Sequence, residues 1–278
     1  MFEIEFNQGN VGMKAYNLQP QQMGRVNWVG LSTLIRKEVA RFLAVYLQTI
    51  VAPVITSAMF FSVLALAFGG VAREIDGVPY MTFLAPGLIY MAMIQNAFSN
   101  TSSSLMIAKI QGTVVDLLMP PISSGELYFG MVVGAVVRAL LIGLVGFAVL
   151  WYFADVGFYH MGVSFGFAIL GAWMMATLGI MGGVWAEKFD HIAAVTNFII
   201  TPMTFLSGTF YSISSLPEDW HVLAEFNPFF YAIDGFRYGF IDSVDGNLFF
   251  GFVFLTTLNL ILTSIALLML KTGYKIKS

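Results

Sequence analysis

The sequence has 278 residues, of which 58% are apolar and only 10% are charged, and its formal net charge is −3. Soluble domains carry about 25% charged residues, so this composition argues against a soluble domain and favours a membrane protein. The absence of cysteine excludes disulfides, thiolate chemistry and cysteine-ligated zinc.

The N-terminal region divides into a tail and a helix. Residues 1–25 are rich in Gln and Asn, and we expect a flexible tail without fixed structure. Residues 26–43 alternate apolar and basic side chains at helical spacing, which predicts an amphipathic helix. Trp28 suits the headgroup zone, so we expect this helix to lie along the membrane surface. Its apolar positions are Leu31, Leu34, Ile35, Val39 and Phe42, and its basic positions are Arg36, Lys37 and Arg41.

Long apolar stretches in the remaining chain predict membrane spans. About 20 helical residues cross the hydrocarbon core, which gives an all-α, polytopic membrane protein with six transmembrane helices. The second span ends in the polar run QNAFSNTSSS, so one of its faces must meet protein or water. The fifth contains Pro202 and should kink there. The predicted spans are residues 45–70, 82–104, 127–152, 162–186, 192–211 and 248–270.

The distribution of Lys and Arg sets the orientation. Most of these residues fall on the side that holds both termini, which the positive-inside rule places in the cytoplasm. Arg73 and Arg237 lie on the other side, and Arg138 falls within a span. The segment before the last span is therefore extracytoplasmic.

That external segment, about residues 212–247, mixes aromatic and charged side chains. A capping-box pattern beginning at Ser215 predicts a short helix, and Pro228 begins a second one. Asp234 and Arg237 are three residues apart and can pair on one helix face. The two helices predict a re-entrant hairpin that covers a pathway, and an interfacial loop anchored by aromatic residues is the alternative.

The motifs of this segment resemble the signature of ABC-2-type transporter permeases. The order is Leu206-Ser207-Gly208, Leu216-Pro217, Pro228-Phe229, Tyr231 and Arg237. The cytoplasmic stretch LLMPPISSGELYFG is similar to the family's Pro-x-Ser-x-x-Glu segment before the third span. We take the external gate and signature residues to be Ser207, Gly208, Pro217, Pro228, Tyr231, Asp234 and Arg237.

The resemblance implies a permease subunit of an ATP-driven exporter in the bacterial inner membrane. Residues 26–43 would be its cytoplasmic interface helix, and residues 44–278 its six-helix transmembrane domain. Two copies of the chain, in contact with membrane lipids, would work over two cytoplasmic ATP-binding subunits that hold ATP and Mg. The chain has no G-x-x-x-x-G-K-[ST] motif, so we expect no cofactor here. Nothing indicates nucleic acid as a partner.

The same resemblance assigns the ATPase contact to the N-terminal helix and to the loop between residues 107 and 126. Residues 111–119 could form a short helix, and Ser123 or Ser124 could cap the third span. An ordinary connector with good capping chemistry is the alternative. The candidate coupling residues are Arg36, Lys37, Arg41, Gln111, Asp116, Pro120, Pro121, Glu126 and Lys188.

Polar residues within spans are candidates for the pathway. Gly130, Gly134 and Arg138 are four residues apart and predict a stripe that packs against another helix or a second copy. Arg138 could attract anionic substrate groups, snorkel to the headgroups, or pair with a polar group on the second span. The pathway candidates are Gln95, Asn96, Ser99, Asn100 and Arg138, and interior packing is the alternative for the first four.

An ATP-independent carrier or a membrane-embedded enzyme is the other class of function. Carriers commonly show internal repeats with broken spans, and none is evident here. Ser207 and His221 lack the G-x-S-x-G elbow of a serine hydrolase, and the three histidines are far apart in sequence. We therefore expect no catalytic residue and no metal site.

Overall fold

The structure is a computed structural model. It describes residues 4–7, 10–13, 26–68, 74–75, 77–114, 121–151, 153–154, 156–215, 217 and 226–275. The helices are α1 (Trp28–Leu43), α2 (Ala52–Phe68, preceded by a π-helical turn at Leu47–Val51), α3 (Tyr80–Ile110), α4 (Ser124–Leu150), α5 (Met161–Trp185), α6 (Phe189–Val195), α7 (Thr201–Phe205), α8 (Pro228–Ile241) and α9 (Leu248–Thr272). A 3₁₀ turn spans Ile213–Ser215.

Five helices in the described part of the chain are long and apolar enough to cross a membrane. They are Leu47–Phe68, Tyr80–Ile110, Ser124–Leu150, Met161–Trp185 and Leu248–Thr272.

The predicted fifth span, residues 192–211, is not among these five helices. It is one uninterrupted helical run, residues 189–205, made of α6, a π-helical turn at Thr196–Ile200, and α7. Pro202 lies in the first turn of α7, and the run continues past it to Phe205. The run is slightly too short to count as a span by length, and the six-span count stays a prediction.

Two short antiparallel hairpins accompany the helices. The strands β1 (Ile4–Asn7) and β2 (Asn10–Met13) pair Ile4 with Met13 and Phe6 with Val11. Both strands lie within residues 1–25, for which the sequence predicts a flexible tail, and that prediction stays untested over the rest of this range. The strands β3 (Glu74–Ile75) and β4 (Val78–Pro79) lead into α3.

The core is formed where α3 packs against α5. Glycines of α5 allow the close approach: a Cβ on Gly171 would meet Tyr90, and one on Gly179 would meet Thr101 and the Phe98 carbonyl. Hydroxyl groups of α3 cross the same contact, since Thr101 Oγ1 donates to the carbonyl oxygen of Ala176 at 2.8 Å. Small residues and interhelical hydrogen bonds are the usual means of packing helices in membranes. The expectation that a polar face of the second span meets protein is therefore confirmed.

The N-terminal helix α1 packs lengthwise on α4. A Cβ on Gly130 would lie 2.5 Å from Leu34, and one on Gly134 would lie 2.7 Å from Cβ of Glu38. Both contacts advance by four residues, so α1 and α4 run side by side in the same direction. The predicted glycine stripe thus receives α1. α1 is aligned with the first half of a membrane-length helix, and its position along the membrane surface stays a prediction.

The helix α8 is enclosed by α3, α5 and α9, and most of its residues are buried. Asn227 caps it by accepting a hydrogen bond from the N–H of Phe229, and Pro228 occupies the first turn as predicted. The helix predicted to begin at Ser215 lies largely outside the described residues. Because α8 is buried on almost every side, it is part of the core, and the re-entrant hairpin stays a prediction.

Candidate functional site

Arg138 of α4 lies buried against the polar residues of α3. Its Nη2 donates to Oδ1 of Asn96 at 2.6 Å, and its Nη1 lies 3.5 Å from Oδ1 of Asn100. Only 7% of the residue is exposed. Asn96 and Asn100 share one face of α3 because they are four residues apart. Of the three alternatives for Arg138, the contacts therefore match the one in which it pairs with polar groups on the second span.

The network continues from Asn100 to α1. Nη2 of Arg41 donates to the carbonyl oxygen of Asn100 at 2.8 Å and to its Oδ1 at 3.1 Å. The same nitrogen forms an ion pair of 2.9 Å with Oε2 of Glu38. The other carboxylate oxygen of Glu38 accepts from Oγ of Ser104 at 2.8 Å. Side chains from α1, α3 and α4 therefore form one buried polar network.

Glu38 is 1% exposed, and the sequence interpretation missed it. The signal was available, because Glu38 lies four residues from both Leu34 and Phe42 and so shares their buried face. Arg41, assigned to the ATPase contact, is directed into the network instead. Its sequence neighbours Arg36 and Lys37 are exposed and remain accessible to a partner.

The network holds more positive charge and more donors than it can use. It contains the guanidinium groups of Arg41 and Arg138 and the carboxylate of Glu38, which forms an ion pair with Arg41, whereas Arg138 donates to the amides of Asn96 and Asn100. Among the described residues, three buried donors of this network have no acceptor, namely Nε of Arg41, Nε of Arg138 and Nδ2 of Asn100. Buried donors without acceptors are costly, so this region is not optimised for stability alone.

A cavity of about 310 Å³ opens between α2 and α3, next to the network. Its lining mixes apolar and polar residues, and we call it the polar cavity because its polar residues include Asn96 of the network. Asn96 belongs to its wall and is also the acceptor for Arg138. Gln95 lines the cavity too and donates to Oγ1 of Thr204 at 3.2 Å. Ser99 is half-buried outside this wall. The polar wall residues are Gln48, Thr56, Ser57, Gln95 and Asn96.

Glu126 joins the beginning of α1 to the beginning of α4. Its carboxylate accepts from the backbone N–H of Ser123 at 2.6 Å, and Oγ of Ser123 accepts from the N–H of Glu126, which completes a capping box. The carboxylate also accepts from the N–H of Asn27, the N-cap of α1. Nδ2 of Asn27 donates to the carbonyl oxygen of Pro121 at 3.2 Å. The two helix starts are therefore fastened together, with Ser123 as the cap.

The other coupling candidates are dispersed. Gln111 and Lys188 are exposed, at the end of α3 and just before α6. Asp116, Pro120 and most of the predicted helix over residues 111–119 lie outside the described residues. Nearby, Lys275 forms an exposed ion pair of 2.9 Å with Glu187, which lowers the pKa of that carboxyl. This contact brings the C-terminal segment to the loop between α5 and α6.

The signature residues meet at the opposite end of α3. Gly208 adopts a positive φ of 75°, which suits glycine, and its carbonyl oxygen accepts from Nη2 of Arg237 at 2.7 Å. The guanidinium group lies 3.8 Å above the ring of Phe83. Ser207 is buried beside the turn, and Tyr231 packs against neighbouring aromatic rings. Pro217 is exposed.

The expected pair of Asp234 and Arg237 does not form. The Asp234 carboxylate instead accepts from the N–H groups of Asp245 and Gly246, each at 3.0 Å. Because α8 is enclosed, its two charged residues reach different neighbours despite their spacing. Burial raises the pKa of Asp234 to about 6 and lowers the pKa of Arg237.

Comparison with known proteins gives a consistent result. The sequence model of a family described as ABC-2 type transporter matches residues 30–241. The chain is similar to the Inner membrane transport permease YadH of Escherichia coli (strain K12), with 36% identity over 223 residues, 80% of this chain and 87% of that protein. It is also similar to Nodulation protein J of Sinorhizobium fredii (strain NBRC 101917 / NGR234), with 26% identity over 187 residues, 66% and 70% of the two chains. Nodulation protein J of Rhizobium leguminosarum bv. viciae is 27% identical over 221 residues, 77% and 82% of the two chains.

Proposed function

This chain belongs to the ABC-2 type transporter family and is a membrane transport permease, and from that premise we propose that it is the membrane subunit of an ATP-driven exporter. It would move an amphipathic or anionic substrate, of the drug, lipid or polysaccharide class, out across the inner membrane. Two copies would work with two separate ATP-binding subunits that carry ATP and Mg.

The observation that carries the proposal is the buried network between α1 and the polar cavity. A charged side chain at the centre of a membrane helix costs about 2.5–3.5 kcal/mol on insertion scales. Arg138 is retained there with a donor unused, next to a wall of neutral polar groups. Such a residue is a candidate for contact with substrate rather than for stability.

Coupling to the ATPase would use the fastened starts of α1 and α4. Arg36 and Lys37 provide an exposed basic surface on α1, and Glu126 ties Asn27 to the first turn of α4. A displacement of α1 by the partner would therefore be passed to α4 and to the network.

The two cavities support an amphipathic substrate. The polar one lies between α2 and α3, and an apolar one of about 580 Å³ lies between α4, α5 and α8. The apolar cavity is lined by residues such as Leu140, Phe147, Phe165 and Phe240. The exposed apolar faces of α2 and α9 would contact lipid or the second copy of the chain. The enclosed α8 would form the outer boundary of the route.

Co-purification and transport together test the proposal. We expect the tagged chain to retain an ATP-binding subunit encoded in its own operon, and a double Arg36→Glu, Lys37→Glu variant to lose that subunit. Glu187→Gln, on an exposed loop near the same end of the molecule, is the matched control and should retain it. Normal transport by the chain with no ATPase present would instead indicate an ATP-independent carrier.

A further inference from the structure

A continuous series of polar contacts leads from α1 to the wall of the polar cavity. It starts at the ion pair of Glu38 and Arg41, passes through Asn100 to Arg138, and ends at Asn96. All of these contacts join side chains. The ion pair of Glu38 and Arg41 lies within α1, and each of the other contacts joins two helices. A change in the position of α1 therefore reaches the cavity through side chains.

Asn100 is the critical step because two cations share its side-chain oxygen. Arg41 donates to Oδ1 at 3.1 Å, and Nη1 of Arg138 lies 3.5 Å from the same atom. Two guanidinium groups at one acceptor repel each other, and the carboxylate of Glu38 offsets that repulsion by pairing with Arg41. The orientation of Arg138 thus depends on a carboxylate that it does not touch.

The packing of α1 holds this carboxylate in place. Gly134 lets Cβ of Glu38 approach α4 closely, since a Cβ on that glycine would lie 2.7 Å away. Ser104 of α3 donates to the second carboxylate oxygen. Both oxygens are therefore occupied, and Glu38 is fixed between α3 and α4.

We propose that Glu38 is a positioning residue that sets the orientation of Arg138 and thereby the positive potential at the wall of the polar cavity. This inference rests on the proposed function. The dependence of Arg138 on Glu38 would couple ATP hydrolysis to the cavity only if an ATPase subunit acts on α1. The ligand that the potential favours is an anionic group.

The chain has no cysteine, so a single reporter thiol can measure the potential. We would introduce Thr56→Cys on the cavity wall of the purified full-length chain. The readout is the anion preference, which is the ratio of modification rates by an anionic sulfonate and a cationic trimethylammonium methanethiosulfonate. The ratio cancels changes in accessibility that affect both reagents.

Arg138→Gln should lower the anion preference by about tenfold, because a unit charge is lost behind Asn96, which lines the same cavity as the thiol. Glu38→Gln should raise it by about threefold, because Arg41 without its carboxylate repels Arg138 towards Asn96 and the cavity. In the Arg138→Gln background, Glu38→Gln should change the preference by less than about 1.5-fold. Glu187→Gln, which removes an exposed carboxylate, is the matched control and should change nothing.

Two results would overturn the proposal. An equal effect of Glu38→Gln in both backgrounds would mean that Glu38 acts only through its own field. No effect in either background would mean that Glu38 serves packing alone. If Glu38→Gln fails to fold, Ser104→Ala is the alternative, because it removes one hydrogen bond to the carboxylate without changing charge. It should raise the anion preference by less than threefold, and only when Arg138 is present. The measurement needs neither ATP nor a partner, so a failure of the proposed function would leave its outcome intact.

Discussion

Two buried clusters of charged residues contact α3 at opposite ends and are stabilised in different ways. At the beginning of α3, in what the predicted orientation makes the outer cluster, backbone groups of two loops bind Asp234 and Arg237 separately. Further along α3, in the inner cluster of the same prediction, Arg41 and Arg138 bind side chains of α3, and Arg41 also pairs with Glu38 of α1. We expect the backbone contacts to hold a corner of the fold and the side-chain contacts to rearrange more readily.

The difference separates stability from function. Changes in the outer cluster remove partners of backbone groups, so we expect them to act mainly on the free energy of unfolding. Changes in the inner cluster alter groups that reach the wall of the polar cavity, so we expect them to act mainly on transport. Substitutions in each cluster test that division.

The largest effect is expected for Arg138→Met. The substitution keeps an apolar chain of similar length but removes the cation next to Asn96, so ATP-dependent export by the complex in proteoliposomes should be abolished. Size-exclusion chromatography should show the same assembly as for the unchanged protein. Lys271→Met, which removes an exposed cation at the end of α9, should transport normally. Unchanged export by the Arg138 variant would remove the inner cluster from the pathway.

In the outer cluster, stability should depend on pH through Asp234. Burial raises its pKa from 3.8 to about 6, so between these values the folded state binds more protons than the unfolded state. The free energy of unfolding should therefore fall as the pH rises from about 4 to about 6, by up to about 3 kcal/mol. Thermal unfolding in detergent measures this slope, and Asp234→Asn should flatten it. An equal slope in both proteins would assign the titration to another group.

The contact between α3 and α5 lies between the two clusters and should tolerate no added volume. In Gly179→Ala, the new Cβ would lie 2.1 Å from Oγ1 of Thr101 and 2.5 Å from the carbonyl oxygen of Phe98. Overpacking of this kind costs about 1–3 kcal/mol. Gly166→Ala on the same helix meets nothing within 4 Å and is the matched control. Thermal unfolding of both variants decides the point, and equal melting temperatures would contradict the close approach of α3.

Much of the fold could be predicted from apolar length and capping patterns. The five membrane-length helices, the N-cap at Ser123 and the start of α8 at Pro228 follow from local sequence. The length of the fifth predicted span was overestimated, because the helical run ends at Phe205 whereas the apolar sequence predicted a helix to residue 211.

The candidate site was harder to predict because it depends on helix rotation and tertiary neighbours. Spacing placed Asn96 and Asn100 on one face of α3, but it could not show that Arg138 and Arg41 both reach Asn100. The acidic residue Glu38 was overlooked because the basic residues around it suggested a solvated surface. Asp234 and Arg237 have the spacing of a pair, yet burial of α8 on several sides gives each a different partner.

The smallest effect concerns the cap of α4, where the sequence left two serines as alternatives. Ser123 accepts from the N–H of Glu126 and begins the capping box, whereas Ser124 is the first residue of the helix. Ser123→Ala should therefore lower the free energy of unfolding by about 1 kcal/mol, and Ser124→Ala should have little effect in the same thermal measurement. Equal losses would place the cap elsewhere. Because the carboxylate of Glu126 would still hold the N–H of Asn27 in the Ser123 variant, transport should survive this loss of stability, which distinguishes a local cap from the network that reaches the cavity.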